Sequence, residues 1–260
     1  MRALARLAAL LAGLVFAGSA LAQFSAQITP PRFEDRASPG DVYREVIEIS
    51  NIAPTDARMS VSTADWSLSA DGGVSFQKSL APGSCRPWTA LEGTEVRVPG
   101  NGKKRFRFEV RVPADAPSQQ CRFAILFEGD PTPVPGMVVP VAGRIAIIVY
   151  LDIGDARARL RVVGHGVVES EGRLLPMLRV ENTGDAHGRL QGFLDGTDPS
   201  GERWTLAPAP DPILPGMTRE IRVYPLVNDG EPVELAFPMQ VRGKLEWRGT
   251  SIDVDATVAR

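Results

Sequence analysis

Between residues 105 and 112 the chain reads R-F-R-F-E-V-R-V, so that Phe106, Phe108, Val110 and Val112 alternate with Arg105, Arg107, Glu109 and Arg111. A period of two puts apolar side chains on one face and charge on the other, which suits a strand with one face in a core and suits no helix. The pattern recurs. Cys121, Phe123, Ile125 and Phe127 alternate with other residues, Ile221 and Val223 alternate with Arg222 and Tyr224, and Ile252, Val254, Ala256 and Val258 flank Asp253 and Asp255. Beyond the first 22 residues no long 3.6-residue period competes with it. The 25 glycines and 22 prolines fall between the apolar runs as turn signals. Short strands separated by frequent turns predict an all-β chain built from sandwiches.

The chain opens M-R-A-L-A-R, continues almost without polar residues to residue 21, and reaches S-A-L-A before Gln23. A basic start, a short apolar run and small residues at Ala20 and Ala22 describe a secretory signal peptide over residues 1–22. The run is short for a span of roughly 20 residues, so stable membrane insertion is not expected. A formal net charge of −2 gives no support for nucleic acid binding. The remainder contains a weak echo: Val98-Pro99-Gly100 precedes one charged–apolar strand and Leu214-Pro215-Gly216 another, while Ser50-Asn51 and Glu181-Asn182 each end an early strand. Two related β-domains, residues 23–151 and 152–260, account for that echo better than one large barrel.

Cys85 and Cys121 are the two cysteines of the chain. In an oxidising exported compartment a pair is expected to form a structural disulfide. Redox chemistry would need closer spacing, and a zinc site more ligands. His165 and His187, each beside glycines, read as solvent-exposed loop residues. Asp195, Asp198 and Glu202 lack calcium-loop spacing and read as solvated turn residues. No nucleophile elbow, metalloprotease helix, phosphate loop or dinucleotide fingerprint occurs. The expectation is a protein that is not an enzyme and takes no metal or cofactor.

Residues 141–150, V-A-G-R-I-A-I-I-V-Y, are almost wholly apolar. Ile145, Ile147 and Val149 would share one face, and Ala146, Ile148 and Tyr150 the other. Such a strand is either covered on both faces or an edge that keeps apolar residues for a partner. Arg32, after Pro30-Pro31, and Arg144, leading into this strand, border apolar segments, where a guanidinium can grip a carboxylate bidentately. The cluster Lys103, Lys104, Arg105, Arg107 and Arg111 reads as a solvated face.

Taken together, I-T-P-P-R-F, V-I-E-I-S-N, V-P-G-N-G-K-K-R-F-R-F-E-V-R-V-P, C-R-F-A-I-L-F-E and I-A-I-I-V-Y resemble, in order and spacing, the periplasmic PapD-like chaperones of chaperone–usher pilus biogenesis. The resemblance covers residues 24–150 and extends to residues 151–260 by order and length. It implies two immunoglobulin-like β-sandwich domains with a subunit-binding cleft between them, and a location in the periplasm. It also implies donor-strand complementation of incomplete pilus subunits, which are then delivered to an outer-membrane usher. On that basis Ile145, Ile147 and Val149 match the donor side chains, and Arg32 matches an arginine that anchors the subunit's C-terminal carboxylate. The family's anchoring lysine has no counterpart in residues 141–150, where Arg144 is a displaced substitute. The alternative is an exported two-domain β-sandwich that binds or builds without chaperone activity, with residues 141–150 as an ordinary core strand.

Overall fold

The computed structural model describes residues 26–69, 72–131, 142–227 and 233–260. The expected signal peptide, 1–22, and the first residue of the 141–150 stretch lie outside them. The first domain holds β1 (Ala26–Thr29), β2 (Arg32–Ala37), β3 (Val42–Asn51), β4 (Ala57–Leu68), β5 (Val74–Gln77), β6 (Thr89–Leu91), β7 (Glu95–Val98), β8 (Lys103–Arg111), β9 (Gln120–Gly129) and β10 (Arg144–Ile153). The second holds β11 (Leu160–Ser170), β12 (Arg173–Asn182), β13 (Gln191–Thr197), β14 (Arg203–Pro208), β15 (Thr218–Pro225), β16 (Met239–Trp247) and β17 (Thr250–Val258).

The first domain is a sandwich of two sheets, β1-β3-β8-β6 and β2-β10-β9-β4-β5, with β7 also paired to β4. Pro30-Pro31 divides β1 from β2. Proline has no ladder donor, and the chain uses the break to leave one sheet and join the other, at an edge each time. Between the sheets, Phe106, Phe108 and Val110 of β8 meet Phe123, Ile125 and Phe127 of β9 in one apolar core. The arginines that alternate with them in β8 are exposed, as the period predicts. Cys85 and Cys121 are bridged, with Cα atoms 5.6 Å apart. Cys85 lies just before a single 3-10 turn (Arg86–Trp88), so the bridge ties a loop to β9. Closing 36 residues of chain is worth about 4 kcal/mol on the chain-entropy view. Beside it Arg86 reaches Asp65 at 3.2 Å and the carbonyls of Thr63, Lys78 and Ser79, holding the same loop down.

The second domain departs from a plain two-sheet sandwich. Its strands form one path, β11-β12-β15-β14-β13-β16-β17, which curls until β11 and β17 touch. Three residue pairs between β14 and β15, from Leu206–Pro225 to Pro208–Val223, stitch together what would otherwise be two sheets. Residues 233–237, whose apolar character suggests a strand, form none. They contribute Leu235 to the core, and Val233 and Phe237 against it, from an irregular segment that ends at Pro238.

The echo between the halves has a physical basis. Asn51 and Asn182 are buried where their strands end. Asn51 donates to the carbonyls of Thr55, Val98 and Pro99 and accepts from the amide of Ala53. Asn182 donates to Ala186 and Ile213 and accepts from the amides of Arg159 and Gly184. In both, the side chain bonds the backbone two and four residues on, and a carbonyl near the Pro-Gly turn. Each asparagine thus replaces ladder partners for a loop that must be buried. A Cβ at Gly100 or Gly184 would stand 2.1 or 2.2 Å from a backbone oxygen, so these loops close only around glycine.

Candidate functional site

β10 is where the two domains and both faces of one sheet meet. Along one side it pairs with β9 from Arg144–Glu128 to Asp152–Gln120. On the other it pairs in parallel with β2, but only from Ile148–Arg32 onward. The amide of Ile148 points at the carbonyl of Pro31. By the period of two, the backbone groups of Ala146 and Arg144 point to that same side. Among the described residues nothing pairs with them there, so residues 144–147 form a free edge.

Its two faces are both apolar and both used. Ile147, Val149, Leu151 and Ile153 are buried in the first domain's own core, and Ile145 packs at its margin, partly exposed. Of the three expected donor side chains, only Ile145 is accessible. Val149 is in addition flanked by strands on both sides. The opposite face carries Ala146, Ile148 and Tyr150 beside Trp66, Ala124 and Leu126, and the second domain places Leu214 and Met217 against it. β9 is therefore buried on both faces, although its sequence advertises only one.

Arg32 and Arg144 do not converge. Arg32 stands opposite Ile148, four residues beyond Arg144, or about 13 Å along the strand. Each is already paired, Arg144 with Glu128 and Arg32 with Glu34 at 2.6 Å. Neither stands without a carboxylate partner.

The charged groups that do converge lie deeper, between the domains. Glu34 of β2 receives Arg32 and Arg189 at 2.6 and 3.1 Å, and His187 and Arg248 stand 3.5 and 3.8 Å away. Arg248 also bonds Asp152, which is fully buried. Arg248 occupies the two-residue turn between β16 and β17 at φ 41°, a left-handed conformation that costs an arginine about 1–2 kcal/mol. The turn aims its guanidinium into the first domain. Arg189 bonds the carbonyl of Pro210 and lies over the ring of Tyr150, while His187 stacks on that ring at 3.8 Å.

His187 was expected in solvent; its side chain is 1 % exposed. Its stretch reads as a turn, but the turn is pressed against β9 and β10. Gln120 fixes its tautomer. The Gln120 amide nitrogen faces Asp152 at 2.7 Å and His187 Nδ1 at 2.8 Å, and its oxygen accepts from the His187 backbone amide. A carboxylate accepts only, so Nδ1 must accept too, and the proton sits on Nε2, toward Glu34. Of these groups the sequence singled out only His187, and as an exposed residue; Glu34, Asp152, Arg189 and Arg248 did not stand out. The one available signal was Asp152, a carboxylate inside an otherwise apolar run.

The hydrogen bond from His187, and the charges of His187, Arg189 and Arg32, hold the Glu34 carboxyl at about 2 against partial burial. Burial pushes His187 below the ordinary imidazole value, opposed by Glu34. Both shifts are downward, so both stabilise above the unfolded pKa values and fade as pH falls. The His187 contribution declines from about pH 6.5 downward, and that of Glu34 between about pH 4.5 and 2. Melting curves between pH 8 and 4 are expected to show stability falling below about pH 6.5, with a smaller fall in His187→Gln. Identical slopes in the two proteins would contradict it.

No protein-family model matches the chain, and no curated protein matches it. Among solved structures it is similar to the YadV chaperone (12% identity, 90% of this chain and 100% of that one, TM-score 0.49). It is also similar to the class 5 fimbriae chaperone CfaA (10%, 89% and 99%, TM-score 0.48) and to the Escherichia coli chaperone DraB (18%, 90% and 97%, TM-score 0.43). Likeness at this level says nothing of what this chain binds. No helix among the described residues is long and apolar enough to cross a membrane, and no group of three or more His, Cys, Asp or Glu there could hold a metal ion.

Proposed function

We propose that this chain is a periplasmic chaperone of the chaperone–usher kind, which lends the free edge of β10 to an incomplete immunoglobulin-like pilus subunit and passes it to an outer-membrane usher. No bond is made or broken; the work is edge pairing followed by exchange. One observation carries the reading: β2 covers β10 only from Ile148, and the outward backbone groups of Arg144 and Ala146 have no ladder partner among the described residues, beside apolar side chains. A client strand lying ahead of β2 and parallel to β10 would bring its C-terminal carboxylate to Arg32, the first residue of β2.

Ala146→Pro tests this. The Ala146 amide faces the open side, where proline is tolerated because no ladder bond is lost. The variant is expected to keep its melting temperature within a few degrees. Capture of co-expressed subunits encoded beside this chain is expected to fall at least tenfold, read by pull-down and mass spectrometry. Undiminished capture would remove the edge from consideration. The burial of Ile147 and Val149 favours a second reading, an exported two-domain β protein without clients in which β10 is an ordinary core strand. That reading expects no subunit capture by the wild type.

A further inference from the structure

Glu34 is a carboxylate held by four side chains that carry or can carry positive charge, three of them from the other domain. Two of the cations have work elsewhere: Arg248 neutralises buried Asp152, and Arg189 bonds the Pro210 carbonyl. Arg32 has none. Its only partner among the described residues is Glu34, engaged through Nε alone, and half of its side chain is exposed. A guanidinium with both terminal nitrogens uncommitted can take a second carboxylate, or exchange the first.

We propose that the interdomain cleft contains a carboxylate-binding site formed by Arg32, Arg189, Arg248 and His187, and that Glu34 fills it as an internal ligand. Glu34 then does two jobs. It latches the domains together, and it competes with any external carboxylate for Arg32. Where the donor-strand reading holds, on which this consequence rests, a client's terminal carboxylate that takes the whole of the Arg32 guanidinium must displace Glu34 from its Nε. Capture is then coupled to a loosening of the domain contact.

The site itself is tested without a client. Glu34→Ala leaves the cations without their anion and opens space on the Arg32 side. Sodium formate is expected to raise the melting temperature of this variant by several degrees more than sodium chloride of equal ionic strength. No such difference is expected in the wild type. Adding Arg32→Ala to Glu34→Ala is expected to reduce the formate effect by half or more. Equal responses of Glu34→Ala to formate and chloride would overturn the site, as would a formate effect that ignores Arg32. Should Glu34→Ala not fold, Glu34→Gln keeps the shape and removes the charge. The Arg32 Nε–H resonance of that variant is expected to shift saturably with formate, while that of the wild type stays in place; an unmoved resonance in Glu34→Gln would overturn the proposal. Because the protein is alone in these measurements, their failure would leave the Ala146→Pro result on client capture standing, and the reverse.

Discussion

Ile147→Asp is expected to unfold the first domain, and Ile145→Asp to leave it folded. The two residues share a face of β10, yet Ile147 is 1 % exposed in the core opposite Ile125, while Ile145 packs at the margin. Aspartate at 147 forfeits the transfer of a buried isoleucine, about 2–3 kcal/mol. It also strands a carboxyl where nothing can hydrogen-bond it, at a further cost of several kcal/mol. The sum rivals the whole stability of a domain, roughly 5–15 kcal/mol. At the margin the carboxylate of Ile145→Asp reaches water, and the cost is about 1–2 kcal/mol. Circular dichroism melts and limited proteolysis of the two variants decide the matter. A cooperative, wild-type-like melt for Ile147→Asp would mean that β10 is not seated with Ile147 inward. Under the proposed function, Ile145→Asp alone is also expected to lose client capture, which separates donation from folding.

Asn182→Ala carries the next largest effect. Its side chain bonds two carbonyls and two amides, three of the four bonds reaching residues of the loops that follow β12 or of the segment that precedes β15. Alanine leaves the Ala186 carbonyl and the amides of Arg159 and Gly184 without partners, at about 1 kcal/mol each, while the Ile213 carbonyl keeps the Gly188 amide. A loss of about 3 kcal/mol lowers the melting temperature of a domain this size by roughly 12–24 °C. Asn182→Asp is expected to do little better, because a carboxylate cannot donate to Ala186 and Ile213. A shift below about 5 °C for Asn182→Ala would show that water enters the loop and satisfies it.

The β8 and β9 alternation, the division into two β-domains and the Cys85–Cys121 pair were legible in the residues because each depends on local pattern or on chemistry few residues share. The paired Asn-then-Pro-Gly echo was visible as well, though not its meaning. Exposure along β10 was read less well. In an uninterrupted apolar strand the sequence has no way to say which face a core claims and which faces a cleft, so Ile147 and Val149 looked as available as Ile145. His187 looked like a turn residue, and was one; what changed its character was the neighbour pressed against the turn.

Composition and periodicity by themselves pointed to an all-β chain and to the outward face of β8, since burial follows alternation wherever one side of a sheet meets water; they gave one inward face of β9, and neither β5–β7 nor the irregular course of residues 233–237. Only the tertiary structure decided where β2 stops covering β10, and that Glu34, His187, Arg189, Arg248 and Asp152 meet. Glu34 and Arg189 are 155 positions apart along the chain. Charge pairing at that range is set by how two domains pack, and no local pattern carries it.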